Sequence, residues 1–518
     1  MTAAPQAAIP QAALPQANMP RAESVFRPVF SLMCGRTLAF AATFFIPVVL
    51  ARVFIPAQFA TYKQLFLIYS TVYLITQAGM ASSLYYFLPR APGDAGRFAA
   101  NSLIFLGAAG IASFGALLIL GPKIAHWMNN PELFRYMFWI GLYLFLMMLS
   151  ATLEIVLISR RRYGWASASY AAFDLARAAA SILPVLLFRN LDGLFKGLVL
   201  VAFLRAATTL FYFRTEFRDT FRFDKTLLRS QLAYAMPFAL AIVVEIVQGS
   251  LPQYVVAWIS SPATFAIFAV GCLSVPLVDV AASPTSDVMM VQMQENLAAG
   301  RLRAVLGIWR QTTGKLALLF FPLAALMVVG AREIIVLLFT AKYVASIPIF
   351  MAWSMTILFA TLQVDGVLRV FAQTRLLLWL NLMRLGIIAG LIQLSLWKFS
   401  LIGPVLVILL ATLAFKAGAL VRMNRLLDTS AGELLPWRNL AGLLGASAGA
   451  AAVALAVKSQ LHLPAFPLLV AGCVAFVSVY ALLVWYFDLL SAGERRAIAD
   501  WMRRTCGGVG RVLVYRKG

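Results

Sequence analysis

Several charged residues lie inside long apolar stretches of this 518-residue chain, and their side chains are the ones that could do chemistry. The cations are Arg36, Arg177, Arg205, Arg384 and Lys416, and the acids are Glu154, Asp174, Glu245, Asp279 and Asp365. A charged group inside a bilayer costs about 2.5 kcal/mol or more unless it faces water, a partner or a bound ion. The cations therefore predict binding of an anion, and the acids predict ion pairs or sites for a coupling ion.

Arg36 is the first of these cations and lies in the apolar run 29–51. Because a helix rises ~1.5 Å per residue, about 20 residues cross the ~30 Å hydrocarbon layer, and this run is long enough to span it. We expect Arg36 to bind an anionic group in a water-filled path. The alternatives are a structural ion pair, or a position from which its long side chain reaches the interface.

Two acid–base pairs have the spacing of neighbours on one helix face. Asp174 and Arg177 are three residues apart, and Asp365 and Arg369 are four apart. Such pairs most simply neutralise themselves. A place on a substrate pathway is the alternative for Arg177, and a coupling-ion role is the alternative for Asp174 and Asp365. Arg205 is predicted either to line that pathway or to brace it.

Glu245 lies near the middle of another apolar run, between Pro237 and Pro252. Prolines free backbone carbonyls, which a water-filled cavity tolerates and lipid does not. Gln248 and Gln253 follow, and their amides would suit a polar wall of such a cavity. A carboxylate at this depth could also carry a coupling proton, and a salt bridge to a neighbouring helix is the rival interpretation.

The elements that position these residues are predicted to be transmembrane helices. The chain is 62% hydrophobic and 12% charged, against about 25% charged in soluble domains. Its apolar residues form blocks of helix-spanning length, whereas a transmembrane barrel would alternate over about ten residues. The fourteen predicted spans are 29–51, 65–88, 98–121, 135–158, 165–188, 194–213, 232–258, 263–283, 313–330, 346–368, 376–397, 402–421, 439–457 and 465–488. The sequence thus predicts an all-α polytopic membrane protein.

The net charge of +23 does not indicate a nucleic-acid partner, because most lysines and arginines occupy short gaps between apolar blocks. With a cytoplasmic amino terminus, the inner gaps carry more of them than the outer gaps. Both termini are therefore predicted to be cytoplasmic. The cysteines and histidines are too far apart in sequence to indicate a metal site, and we expect no metal and no cofactor.

The predicted organisation is two six-helix bundles around a central cavity, followed by two extra helices. A charged gap after the sixth span suggests this division, because many transporters are paired bundles that rock about a site at the midplane. The segment 284–303 is expected to form a surface helix. The predicted domains are a disordered Pro/Ala/Gln tail at 1–28, bundles at 29–213 and 232–421, a hinge loop at 214–231, extra helices at 439–488 and a basic cytoplasmic tail at 489–518.

Three stretches resemble the Wzx-type polysaccharide flippases of the multidrug/oligosaccharidyl-lipid/polysaccharide exporter superfamily. They are LARVFIPAQFATYKQ at 50–64, QAGMASSLYYFLPR at 77–90 and REIIVLLFTAKYVASIPIF at 332–350. A base in the first helix and twelve helices plus two are also similar to that family. Ala60 and Thr340 depart from it, since glycine is usual near both positions. These departures concern turns and leave the chemistry untouched.

The resemblance implies a flippase that passes an undecaprenyl-pyrophosphate-linked oligosaccharide from the cytoplasmic to the periplasmic leaflet by alternating access. It also implies a cationic central cavity, with Arg36 at the position of the family's helix-one base. The expected partners are this lipid-linked oligosaccharide, membrane lipids and the polysaccharide polymerase machinery. The expected location is the cell inner membrane, and no covalent chemistry is expected.

Two other functions remain open. A drug or cation exporter of the same superfamily would favour acids over bases in the first bundle, whereas Arg36, Arg177 and Arg205 are bases. A membrane polysaccharide polymerase or ligase would need a large extracytoplasmic loop for its catalytic residues. Every predicted outer loop is short, which argues against an enzyme.

Overall fold

The computed structural model describes residues 43–490 and Arg495, and in this part of the chain the regular structure is entirely helical. Arg36, the amino-terminal tail and nearly all of the basic carboxy-terminal tail lie outside the described residues. The predicted class, an all-α polytopic membrane protein, is confirmed.

The helices fall into three consecutive groups. The first half comprises α1 Thr43–Val53, α2 Pro56–Thr76, α3 Met80–Arg90, α4 Ala95–Trp127, α5 Glu132–Ser150, α6 Leu153–Ser159, α7 Tyr163–Phe188 and α8 Leu191–Glu216. The second half comprises α9 Lys225–Ile259, α10 Pro262–Gly271, α11 Pro276–Ala298, α12 Leu302–Val329, α13 Ala331–Phe339, α14 Ile347–Ser354, α15 Thr356–Ala360, α16 Val364–Val370, α17 Thr374–Phe399 and α18 Gly403–Leu426. The remainder comprises α19 Ala431–Leu434, α20 Trp437–Gln460 and α21 Ala465–Tyr486.

Local sequence signals explain where many of these helices begin. Prolines that need no amide partner occupy the first turn of α2, α10, α11, α14 and α18. Side-chain oxygens of Asn190, Asp224 and Ser261 accept backbone amides in the first turns of α8, α9 and α10. Gly79, with φ +67°, separates α2 from α3 and brings this turn against the backbone of Ala235 in α9.

Eleven helical stretches within the described residues are long and apolar enough to cross a membrane. One of them, Thr374–Leu426, contains both α17 and α18, which pack side by side. Two shorter apolar helices, Thr43–Val53 and Pro262–Gly271, coincide with parts of further predicted spans. The total of fourteen spans stays a prediction.

Three predicted spans are interrupted or extended in the structure. Span 65–88 is broken at Gly79, and span 346–368 is divided into α14, α15 and α16. Span 263–283 is broken after α10, and α11 then runs without interruption through Pro284. The prediction of a separate surface helix at 284–303 is therefore wrong. Those residues continue a helix that starts at Pro276 and ends at Ala298, since one internal proline does not end it here.

The predicted hinge loop at 214–231 is mostly helical, because α8 ends at Glu216 and α9 begins at Lys225. The start of α9 is fixed to the first half. Asn101 of α4 exchanges two hydrogen bonds of 2.9 Å with the backbone of Asp224. The buried side-chain amide of Gln231 donates to Ser102 at 3.1 Å. The division into two bundles at this point stays a prediction.

The first helix of the second half, α9, packs against helices of both halves. It contacts α2, α3 and α4 on one side and α10 and α17 on the other. The largest apolar core joins the first half to α10, α13 and α14. The added pair α20–α21 packs on α12 and α13, where Lys458 of α20 forms a 2.6 Å ion pair with Glu333 of α13 and donates to the carbonyl of Val329.

Candidate functional site

A cavity lies between the two halves, and α1, α2, α7, α9 and α10 form its walls. It consists of two adjoining parts of about 380 Å³ and 290 Å³, here called together the central cavity. The two parts share the lining residues Thr43, Pro47, Lys63 and Gln253. Pro56 starts α2 early enough to put Lys63 two turns into that helix, so that its side chain enters the cavity.

Arg177 of α7 lines the larger part and is positioned by two contacts. Its guanidinium forms a 2.7 Å ion pair with Asp174 one turn earlier and donates to the hydroxyl of Thr43 at 2.7 Å. The Nε atom of Arg177 is buried and has no hydrogen-bond partner among the described residues. The predicted pairing of Asp174 with Arg177 is therefore present, and the paired side chain lies beside the cavity.

Lys63 is the second cation of the central cavity, and no carboxylate of the described residues forms an ion pair with it. Its ammonium lies 5.9 Å from the centre of the Phe59 ring, and the thiol of Cys272 lines the same part of the cavity. Because Asp174 neutralises the charge of Arg177, Lys63 gives the central cavity one excess positive charge. An ammonium with this little local compensation favours an anionic ligand.

Uncharged polar groups surround the two cations. Those that line the larger part are Thr43, Ser70, Ser181, Ser250 and Gln253. Tyr62 and Phe66 form an aromatic wall, with ring centres 4.7 Å apart. Hydroxyl and amide groups next to aromatic faces can bind sugar hydroxyls and ring faces, while the cations bind phosphate. The cavity can thus hold an anionic, hydroxyl-rich headgroup.

The central cavity is closed at one end, here called the sealed end, where α1 ends and α2 begins. Arg52 of α1 donates its Nε to the carbonyl of Leu338 in α13 at 3.0 Å and a second bond to the carbonyl of Leu337. Buried rings of Phe59 and Tyr343 meet edge to face, 5.8 Å apart. Residues of both halves therefore meet directly at this end.

A second polar cluster lies in the second half, on α9, α16, α17 and α18. Lys416 forms a 3.4 Å ion pair with Asp365 and donates to the carbonyl of Leu362 at 2.8 Å. Asp365 therefore pairs with another helix and not with Arg369, as the spacing had suggested, because α18 brings a cation closer. Asp365 and Glu245 both interact electrostatically with Arg384, and the Glu245 side chain is exposed.

Arg205 does not line the central cavity. It forms a 2.7 Å ion pair with the buried Glu154 of α6, and its guanidinium stacks 3.9 Å above the Phe173 ring. Ser169 also donates to Glu154, at 2.9 Å. Glu154 is therefore neutralised inside the first half by an ion pair, one of the two roles that the sequence predicted for the buried acids.

The structure thus distributes the predicted site residues among several places. Arg177 and Gln253 line the central cavity, and Arg36 lies outside the described residues. Gln248 is buried, and its amide donates to the carbonyl of Asn381 in α17, so it joins two helices. In the described part of the chain, no three His, Cys, Asp or Glu side chains are grouped closely enough to hold a metal ion.

Lys63 is the site residue that the sequence analysis missed. The predicted second span started at residue 65, which left Lys63 in a loop. Pro56 was the available signal, since proline is favoured in the first turn of a helix. A start at Pro56 would have placed Lys63 inside the span, next to Tyr62.

Comparison with known proteins gives one family and one fold. The sequence model of a family described as "Polysaccharide biosynthesis protein" matches residues 49–348, more than half of the chain. No curated protein matches the chain in sequence.

Solved structures resemble the whole fold at low sequence identity. The lipid II flippase MurJ in an inward closed conformation has a TM-score of 0.71 and 12% identity, covering 90% of this chain and all of its own. An inward-facing multidrug resistance MATE family transporter of the MOP superfamily has a TM-score of 0.59 and 14% identity, over 76% of this chain and 96% of its own. An outward-facing MATE family transporter has a TM-score of 0.53 and 13% identity, over 79% and 97%. The fold is therefore that of MurJ and the MATE transporters.

Proposed function

The chain belongs to the polysaccharide biosynthesis protein family, and from this premise we propose that it is a transporter that flips a lipid-linked oligosaccharide across a membrane. Membership of the family confirms the resemblance found in the sequence. The proposed substrate is a polyprenyl-pyrophosphate-linked oligosaccharide. The proposed direction is from the cytoplasmic to the periplasmic leaflet of the inner membrane, to supply surface polysaccharide synthesis such as that of O-antigen, capsule or exopolysaccharide.

The observation that carries this proposal is the excess positive charge of the central cavity, with Lys63 and Arg177 beside hydroxyl and amide groups. A pyrophosphate is a multivalent anion, and a lysine and an arginine can bind it as a point charge and a planar donor group. The attached sugars need hydrogen-bond partners, which Ser181, Ser250 and Gln253 can supply. An apolar polyprenyl tail needs no such site, because it stays in the bilayer.

Alternating access is the mechanism that the contacts between the halves support. At the sealed end the halves are joined by the Arg52 hydrogen bonds and by the Phe59–Tyr343 ring contact. With both termini in the cytoplasm, as the charge distribution predicts, this end faces the periplasm and the described state is closed on that side. We propose that the headgroup binds from the cytoplasmic side, after which the sealed end opens and releases it. No step in this cycle makes or breaks a covalent bond.

Complementation tests the substrate class. The gene is expressed in a bacterium from which its own O-antigen flippase has been deleted, and surface polysaccharide is measured at matched protein level. The wild type is expected to restore polysaccharide, and Arg36→Ala is expected to fail where Arg36→Lys retains partial function. Full restoration by Arg36→Ala would make that residue structural only. Failure of the wild type to restore any polysaccharide in hosts with different repeat units would contradict the flippase proposal.

The competing function is export of drugs or other organic cations, because MATE family transporters have the same fold. The excess cation in the central cavity disfavours a positively charged substrate. Growth of an efflux-deficient host on cationic dyes distinguishes the two. The exporter would be favoured if the wild type protected this host from the dyes and Gln253→Ala abolished that protection, while neither protein changed the amount of surface polysaccharide. Association with the polysaccharide polymerase machinery remains part of the flippase proposal.

A further inference from the structure

A groove on the first half, separate from the central cavity, lies between α7 and α8 with α6 as its floor. Its volume is about 690 Å³, and it shares no lining residue with the central cavity. The walls are mostly apolar or small side chains, contributed by Leu157, Ala168, Ala172, Val201 and Leu204. We refer to it as the α7–α8 groove.

The two helices are close at one end of their contact and separated at the other. At Gly197 the backbone of α8 approaches α7 so closely that an added Cβ would lie 2.6 Å from the carbonyl oxygen of Ala180. Further along, the Arg205 side chain stands between the helices, stacked on Phe173 and bound to Glu154. The Arg205–Glu154 ion pair therefore lies between the two helices at the end where the groove opens, and Arg205 is one of the lining residues.

The mouth of the groove is basic. Arg162, Trp165 and Tyr212 line it, and Arg160 and Arg161 directly precede Arg162. Two of these three arginines pair with the same carboxylate, since Arg162 lies 2.9 Å and Arg160 3.8 Å from Glu216.

Arg161 is exposed and forms no ion pair within the described residues. The mouth therefore carries excess positive charge next to an exposed tryptophan, an arrangement typical of the membrane–water interface.

We propose that the α7–α8 groove binds an anionic phospholipid, with an acyl chain along the apolar walls and the phosphate at the arginines of the mouth. Charge complementarity selects this occupant, because a zwitterionic lipid would gain much less from a mouth where three arginines face one paired carboxylate, Glu216. The apolar walls favour an acyl chain over a soluble anion. The bound lipid would bridge α7, which carries Arg177, to α8.

Native mass spectrometry of the full chain tests this proposal. The purified protein is mixed with equal amounts of phosphatidylglycerol and phosphatidylcholine, and the lipid bound to each variant is quantified. The wild type is expected to bind phosphatidylglycerol more tightly. Ala172→Phe fills the groove and is expected to abolish this preference, whereas Ala179→Phe, exposed on the same helix outside the groove, is expected to keep it.

The charge of the mouth is tested by Arg161→Asn. Arg161 has φ +58°, a conformation that asparagine tolerates, so the substitution removes charge with little strain. Binding of phosphatidylglycerol is expected to weaken about fivefold and that of phosphatidylcholine to stay unchanged. Arg301→Asn, exposed in the second half, is the control and is expected to have no effect.

Three results would overturn the proposal. They are equal binding of the two phospholipids by the wild type, an unchanged preference in Ala172→Phe, and displacement of phosphatidylglycerol by a polyprenyl phosphate at equal concentration. Each readout is lipid binding and not transport, so none depends on the flippase proposal.

Discussion

Arg52 at the end of α1 donates a hydrogen bond to the carbonyl of Leu338 near the end of α13, 286 residues away in sequence. The bond joins the two halves at the sealed end, where α13 presents carbonyls that its own helix leaves free. A guanidinium suits this position because it offers several donors in one plane. Opening of the sealed end must therefore separate Arg52 from α13.

Replacing Arg52 by alanine should favour the state that is open at the sealed end. Hydrogen bonds of a charged donor contribute about 1.5–3 kcal/mol each, so the equilibrium should shift about tenfold or more. With the four native cysteines replaced by serine, a single cysteine introduced at Gln253 reports the state through its labelling by a membrane-impermeant maleimide added outside the cell. Labelling should rise in Arg52→Ala. Arg332→Ala, an exposed arginine on α13, serves as the control. Equal labelling in both variants would contradict the proposed role of Arg52 in closing the sealed end.

Lys63 should be required for transport because it provides the excess charge of the central cavity. Lys63→Gln is expected to lower the rate about tenfold or more, which corresponds to the loss of one charged hydrogen bond to the anionic headgroup. Lys63→Arg should retain part of the activity. The assay is flipping of a fluorescent prenyl-pyrophosphate sugar in vesicles, with Lys123→Gln on the exposed surface of α4 as the control. Normal flipping by Lys63→Gln would remove Lys63 from the substrate site.

Asp174→Asn should be tolerated better than Arg177→Ala. The carboxylate offsets part of the charge of Arg177, so its loss leaves a more positive cavity that binds anions more tightly. We expect a lower apparent KM for Asp174→Asn, with a reduced maximal rate if release becomes slow. Steady-state kinetics in the same vesicles measure both. A loss of transport as severe as that of Arg177→Ala would show that the carboxylate has its own role, such as coupling.

Glu245 is exposed in the second half and interacts with Arg384, and it is our candidate for carrying a coupling proton. Glu245→Gln cannot gain or lose a proton at this position, so any dependence of transport on a pH gradient should disappear. The rate is compared with and without an imposed gradient. Glu295→Gln, an exposed acid of α11, is the control. Unchanged dependence on the gradient in Glu245→Gln would exclude it from coupling.

The Arg205–Glu154 pair should stabilise the first half and not take part in binding the substrate headgroup. Removing one partner of a buried ion pair costs about 3–5 kcal/mol because the other charge remains uncompensated. Glu154→Leu should therefore lower the thermal unfolding temperature in detergent strongly, and Glu154→Leu with Arg205→Met should recover most of it. A double variant as unstable as the single one would indicate that the packing of the Arg205 side chain between the helices matters more than its charge.

The helical class and most span positions could be predicted from the sequence, because apolar blocks of spanning length in a chain this poor in charge are typical of membrane helices. Of the predicted pathway residues, Arg177 and Gln253 line the central cavity, and their contact with a substrate stays a prediction. Reasoning from the sequence could not identify the partner of Asp365, because the competing cation, Lys416, belongs to a helix 51 residues later. The spacing of residues in the sequence predicts contacts on one helix, but it does not predict contacts between helices that pack together in the fold.

Prolines inside helices show a further limit of local signals. Pro237 and Pro252 lie inside α9, which runs from Lys225 to Ile259 and contains the single predicted span 232–258. Pro284 lies inside α11, although the predicted span 263–283 ended just before it. Proline removes one amide donor, and neighbouring helices decide whether the chain actually breaks there. Gln248 illustrates the same limit, since its amide joins α9 to a carbonyl of α17 that no pattern in the sequence indicates.

Lys458 gives the added helices a mechanical role. Its ion pair with Glu333 and its hydrogen bond to the carbonyl of Val329 connect α20 to the start of α13. The other end of this short helix accepts the hydrogen bond of Arg52. We expect α20 and α21 to restrain α13 if this helix moves when the sealed end opens, and loss of the Lys458 ion pair to weaken that restraint. We expect a chain shortened before α20 to lose control over opening of the sealed end before it loses binding of the substrate.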